Sequence, residues 1–203
     1  MRQYTDLIGR AKWGGFATKF LKFGEKTAAK YADELIVLSE GTRDYFKKTY
    51  GRETVFIPNG IDVQNEKKAD IITKKYGLEK DGYILFLARI VPEKGLHYLI
   101  DAFMHTDTDK KLVIAGGVSH SSEYAKQIHD MAKDDRIIFT GFVEGDELWE
   151  LYYNCRMYVL PSDVEGMPIS LLEAMACGCE CLVSDIDTTK NVVGEYGYTF
   201  KKS

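Results

Sequence analysis

Along the first part of the chain the positions Trp13, Phe16, Ala17, Phe20, Phe23, Thr27, Ala28 and Tyr31 recur at steps of three and four, with lysines filling the opposite face. That period predicts an amphipathic helix over about residues 12–31. An apolar run at 35–38 predicts a short buried strand. Ser39 and Thr42 are helix-start residues, and Gly51 is the stop for a helix running through Tyr50. A second strand is expected at 54–57, ending in the turn tripeptide Pro58-Asn59-Gly60, and the polar stretch after it reads as a linker.

From Tyr83 the pattern changes to a regular alternation of strand and helix. Strands are predicted at 83–88, 111–115, 136–140, 157–160, 180–183 and 198–200, with helices at 94–104, 122–133, 146–154 and 168–177. Runs such as Ile84-Leu85-Phe86-Leu87 and Leu112-Val113-Ile114 are apolar at every position, as a parallel sheet covered by helices on both faces requires. The fold class is therefore α/β, a Rossmann-like parallel sheet with helices on both faces, preceded by a partial α/β segment. The expected organisation is an incomplete first domain over 1–62, a linker over 63–80 and a second domain over 81–203. In sheets of this kind ligands sit beyond the carboxyl ends of the strands, so the loops after Ala88, Ala115, Thr140 and Leu160 are where function is sought.

Composition narrows the class. With 45% hydrophobic and 29% charged residues the chain is an ordinary globular one, and its net charge of -4 argues against a nucleic-acid partner. No apolar run reaches the roughly 18 residues of a membrane span, and no apolar leader is legible, so a cytoplasmic protein is expected. The first thirty residues are basic, with Arg2, Arg10, Lys12, Lys19, Lys22, Lys26 and Lys30 against Asp6 and Glu25. This asymmetry suggests an anionic surface as a peripheral partner. The aromatic stripe of the same helix needs cover, from the strands at Leu35 and Val55 or from a second copy in a homo-oligomer. Cys177, Cys179 and Cys181 alternate too tightly for easy disulfides and, with Cys155, read as packing residues rather than metal ligands.

Two loops carry candidate chemistry. After the strand at 83–88 stand Arg89 and Lys94, a pair of cations beside a predicted helix start, a setting suited to a diphosphate. After the strand at 157–160 the loop holds Glu165, Gly166, Met167 and Pro168 and leads into a helix bearing Glu173. A carboxylate accepts two hydroxyl donors at once, which suits a ribose diol or sugar hydroxyls. The spacing of the two glutamates is weak by itself, and Arg89 and Lys94 taken alone read rather as a solvated basic loop.

The segments ARIVPEKG, GFVEGDEL and PSDVEGMPISLLEAMACG, in this order and separation, resemble retaining glycosyltransferases of family 4, which have the GT-B fold. ADELIVLSEGTRDYF and VFIPNGID resemble the end of that family's N-terminal domain and its crossing to the C-terminal one, so the likeness covers nearly the whole chain. The resemblance implies transfer of a sugar from a UDP- or GDP-sugar to a glycan or lipid-linked acceptor, with retention, no metal and no cofactor. It implies catalytic roles for Arg89, Lys94 and Glu165, the two cations acting on the departing diphosphate. It further implies nucleotide-sugar contacts from Gly116, Gly117, Phe142, Val143, Gly166, Met167 and Glu173, the last on the ribose.

The family's glycine-rich loop, acceptor site and reactive-site histidine belong to a half not represented here, and the usual last helices are also missing. His97, His105, His120 and His129 do not fill that role, and the chain by itself is expected to transfer no sugar. Two Asp-x-Asp triplets, Asp107 to Asp109 and Asp185 to Asp187, read as loop structure rather than as a divalent-cation site. The alternative reading is a non-catalytic nucleotide-sugar-binding module, or a subunit whose partner completes the site.

Overall fold

The computed structural model describes residues 15–62, 64–117 and 122–201. The chain divides into two compact units, Met1–Asn59 and Gly60–Ser203.

In the first unit, helix α1 (Gly15–Tyr31) is followed by strand β1 (Ile36–Val37), helix α2 (Glu40–Tyr50) and strand β2 (Val55–Phe56). The two strands are parallel, pairing Ile36 with Val55 and Val37 with Phe56. Helix α2 starts where the sequence asks: the Ser39 hydroxyl accepts from the Thr42 amide at 3.2 Å. It stops at Gly51, whose left-handed φ of 65° lets its amide close the last turn. Trp13 and the side chains of Phe16 and Ala17 lie outside the described residues, but the large aromatic side chains that follow depart from expectation. Phe20 and Phe23 stay 68% and 67% exposed, and no strand among the described residues covers them. The reason is on the other face of the helix. Glu25 there accepts hydrogen bonds from Tyr45 Oη at 2.6 Å and Tyr50 Oη at 2.5 Å, while Ala29 packs with Val37 and Phe46.

The second unit is built on a parallel sheet. Its strands are β3 (Tyr83–Leu87), β4 (Lys111–Ala115), β5 (Ile137–Gly141), β6 (Met157–Leu160), β7 (Cys181–Ser184) and β8 (Tyr198–Phe200), in the spatial order β5-β4-β3-β6-β7-β8. Its helices are α3 (Ile71–Tyr76), α4 (Leu96–Met104), α5 (Ser122–Met131), α6 (Gly145–Asn154), α7 (Ile169–Ala176) and α8 (Asp187–Val193). Successive strand residues feed opposite faces. Leu85, Val113, Tyr158 and Val183 join one buried cluster with residues of α3, α6 and α7, whereas Phe86, Leu112 and Ile114 join another with residues of α4 and α5. Helices therefore cover both faces, which is why these strands are apolar throughout.

The order of the strands fixes where a ligand fits. The chain runs outward from β3 through β4 to β5 with α4 and α5 on one face. It then returns through α6 to β6, on the other side of β3, and continues to β7 and β8. The direction of travel reverses between β3 and β6, and in open α/β sheets the ligand crevice lies beyond the carboxyl ends at such a switch point.

Two elements differ from the sequence reading. The stretch 63–80, expected as a linker, is part of the second unit: Ile72 and Leu78 are 0% and 1% exposed. Part of its polar backbone is satisfied by α6. The carboxylate of Glu150, itself buried, accepts from the amides of Asp70 at 3.0 Å and Ile72 at 3.1 Å, and Asn154 donates to the Lys67 carbonyl at 2.9 Å. Helix α8 was not expected, since Asp187-Thr-Thr-Lys-Asn offers no apolar period. It is held by its Thr189 hydroxyl, which donates to the Ser184 carbonyl at 2.7 Å, and by the buried Val193. Among the described residues no helix is long and apolar enough to cross a membrane.

Candidate functional site

The loops after β3 and β6 face each other across the switch point and are locked together by backbone. Between β3 and α4, Pro92–Lys94 form a short 3₁₀ turn, so Lys94 precedes the α-helix rather than opening it. The amides of Lys94 and Gly95 close that turn onto Val91 and Pro92, at 3.0 Å each, so these donors are spent internally. Gly95 then adopts φ 67°, and a Cβ there would lie 2.0 Å from the Pro161 carbonyl oxygen in the facing loop. No other residue fits that approach. The Asp163 amide adds a bond to the Glu93 carbonyl at 2.9 Å.

This backbone frame brings Lys94 and Glu165 together. Lys94 Nζ donates to Glu165 Oε1 at 2.6 Å, with the two side chains 18% and 6% exposed. The Ser162 hydroxyl donates to the same Oε1, also at 2.6 Å. Ser162 is in turn fixed through its carbonyl, which accepts from Ser184 Oγ at 2.6 Å, and Ser162 and Ser184 are both buried. A polar chain from β7 thus holds the Glu165 side chain. The Arg89 guanidinium is different. It is exposed at the β3 end and makes no ion pair among the described residues.

Glu173 lies on α7, where its Oε2 accepts from the buried Tyr152 hydroxyl of α6 at 3.0 Å. Burial pushes its carboxyl above the ordinary value, and the Tyr152 hydrogen bond opposes that shift. The first turn of the same helix is anchored by Tyr158, whose hydroxyl donates to Ser170 Oγ at 2.9 Å. Gly166 is exposed in the loop leading to this helix, next to Met167.

The remaining expected residues stand at the ends of β4 and β5, on the same edge of the sheet. Gly116, at φ 146°, carries the β4 end so close to β3 that a Cβ would sit 1.9 Å from the Ala88 carbonyl oxygen, whereas a Cβ on Gly117 would meet nothing within 4 Å. Gly116 is thus required by the fold and Gly117 leaves open space. After β5, Phe142 is 75% exposed while Val143 is 8% exposed and packed in the core, so only the backbone of Val143 can reach a ligand. Among the described residues no hydrogen bond or ion pair links Arg89, Phe142 or Glu173 to the Lys94 and Glu165 pair.

Sequence reasoning missed Ser162, Tyr152 and Gly95. A hydroxyl three residues before Glu165 was a usable local signal. Tyr152 and Gly95 act across the fold and left none.

Several of the other candidates have protein partners among the described residues. His97 Nδ1 lies 2.9 Å from Tyr124 Oη, and His129 stacks on Phe139 at 4.3 Å between ring centres; His120 lies outside the described residues. Asp109 pairs with Lys110 and Asp185 with Lys190, at 3.0 and 3.1 Å. The four cysteines are free. Burial pushes the thiols of Cys177 and Cys181 up to about 11 and about 12.

The second unit is thus an α/β unit, a parallel sheet with helices on both faces and a paired cation and carboxylate in the loops at its switch point. The family model described as glycosyl transferases group 1 matches residues 68–202, and the chain belongs to that family. Among curated relatives, the O-antigen chain mannosyltransferase RfbU of Salmonella typhimurium is 27% identical over 175 residues, 86% of this chain and 48% of its own length. The putative teichuronic acid biosynthesis glycosyltransferase TuaC of Bacillus subtilis is 26% identical over 182 residues, 87% of this chain and 45% of its own. Among solved structures, Anabaena HepE in complex with UDP and glucose superposes with a TM-score of 0.80 at 22% identity, covering 91% of this chain and 54% of that one. WaaG, a glycosyltransferase involved in lipopolysaccharide biosynthesis, gives 0.80 at 16% identity, covering 98% and 59%. The chain spans about half the length of the curated relatives it matches.

Proposed function

We propose that this chain carries the donor half of a glycosyltransferase that moves a sugar from a UDP- or GDP-sugar to a glycan or lipid-linked acceptor, with retention and without metal or cofactor. The observation that carries the reading is the Lys94 to Glu165 pair at the switch point, 2.6 Å long and largely shielded from water. A lysine ammonium has three donors, so Lys94 can keep Glu165 and still reach a phosphate oxygen. Arg89, exposed at the adjacent strand end, supplies the second positive charge. Together they would neutralise the diphosphate as it leaves, where charge grows along the reaction and a cation lowers the barrier without a metal ion.

Glu173 would accept the two ribose hydroxyls, and Glu165 with the amides of Gly166 and Met167 would meet the donor sugar or its phosphates. Phe142 and the Val143 backbone would flank the base, and Gly116 and Gly117 would let the nucleotide pass close to the β4 end. The chain's relatives support the sugar chemistry, and the UDP and glucose bound to HepE support the donor type. The basic face of α1 supports peripheral attachment to an anionic surface. A GT-B reaction needs a facing acceptor domain to position the acceptor and exclude water, so this chain alone should bind donor without transferring sugar.

The test compares this chain with the corresponding full-length protein against a panel of nucleotide sugars, following nucleoside diphosphate release. Acceptor-dependent release by the full-length protein, with binding but no transfer by the chain alone, is the expected result. Binding without release by both would overturn the enzyme assignment in favour of a binding module.

A further inference from the structure

We infer that Tyr152 is a positioning residue for Glu173, holding its carboxylate in the orientation that meets the nucleotide ribose. The inference rests on the ribose reading of Glu173 proposed above.

Tyr152 is unusually well fixed. It is 1% exposed, and its ring packs between Trp149 and Tyr158, at 5.9 and 6.0 Å between ring centres. Its carbonyl accepts from the thiols of Cys179 at 3.0 Å and Cys155 at 3.3 Å, so backbone and ring are both held. From this mount the hydroxyl reaches Glu173 Oε2 at 3.0 Å. The bond joins two helices, α6 and α7, and uses one carboxylate oxygen. No hydrogen bond from protein to Oε1 occurs among the described residues, so one oxygen is held while the other remains for a ligand.

The same bond bears on charge. Partial burial favours the neutral acid at Glu173, and a hydroxyl donor favours the carboxylate. Without Tyr152 Oη the side chain would be both freer to rotate and easier to protonate. Only the charged, oriented form accepts both ribose hydroxyls at full strength. A buried tyrosine whose sole service were packing would do as well as phenylalanine.

The experiment measures calorimetric affinity of the second-unit-containing full chain for whichever of UDP and GDP binds better, and for its 2′,3′-dideoxy analogue, across acidic to neutral pH. Tyr152→Phe keeps the ring and removes only the donor. It should weaken the ribonucleotide about fivefold at neutral pH and move the acid-side loss of binding to higher pH, while leaving the dideoxy analogue unchanged. In a Glu173→Gln background the same substitution should do nothing further. Glu173→Asp, which keeps the charge but draws the carboxylate back from Tyr152, gives a second handle and should also lose ribonucleotide affinity. If Glu173→Gln weakens binding but Tyr152→Phe and Glu173→Asp leave affinity and pH profile as in the native chain, the positioning role is overturned and the ribose reading stands. Unchanged affinity in Glu173→Gln would overturn the ribose reading itself, and the positioning role with it.

Discussion

The crevice has a wall and a rim, and they are built in opposite ways. The wall, made where β3 and β6 meet, is fixed by backbone: Gly95 sits against Pro161, Gly116 against Ala88, and Asp163 is hydrogen-bonded to Glu93. The rim, at Arg89, Gly117, Phe142 and Gly166, is exposed except at the half-buried Gly117, and a Cβ on either of its glycines would meet nothing within 4 Å. Two glycines of one strand-end pair, Gly116 and Gly117, therefore serve different ends. One lets the sheet close and the other leaves room above it.

Substitution should separate wall from rim most sharply at the glycines. Gly95→Ala and Gly116→Ala each force a Cβ onto a carbonyl oxygen and a side chain into a positive φ, so each should destabilise the second unit by about 4 kcal/mol or more. Denaturant unfolding reads this directly, and a native-like midpoint for either would break the distinction. Next in size is Lys94→Met. It strips the cation from a Glu165 side chain that is 6% exposed, and should cost about 3 kcal/mol of stability as well as donor binding.

A smaller effect has the opposite sign. The Glu173 carboxyl is raised in the folded chain, so the fold binds more protons there than the unfolded chain does. Its contribution to stability is therefore full at acidic pH and is lost as pH rises through its raised value. Glu173→Gln removes this loss. Thermal melts of the two proteins should diverge from acidic to neutral pH with the glutamine variant the more stable, whereas parallel melting curves would show that Glu173 is not strained by burial. The smallest change expected is at the rim: Gly117→Ala and Gly166→Ala should alter stability by no more than about 0.5 kcal/mol while weakening nucleotide binding.

Much of this was legible in the chain. Continuous apolar strands identified a sheet covered on both faces, Ser39 and Gly51 bounded α2, and the paired loops pointed to Lys94 and Glu165. What stayed hidden depends on contacts distant in sequence. Residues 63–80 look like a polar linker because the groups that satisfy them, Glu150 and Asn154, lie about eighty residues away on α6. The Phe20 and Phe23 stripe correctly announced an amphipathic helix, but not that Glu25 and Ala29, a carboxylate and a small residue, would form its packed face. Tyr152 read as one more aromatic in a helix, since nothing local links it to a glutamate 21 positions onward.

The central claim is that the crevice at the β3 and β6 switch binds a nucleoside diphosphate through Arg89 and Glu173. Isothermal titration of UDP and GDP into the native chain, Arg89→Ala and Glu173→Gln tests it most directly. Saturable binding of at least one nucleotide is expected, weakened roughly ten- to a hundredfold by each substitution. Binding of equal strength in all three proteins would contradict it.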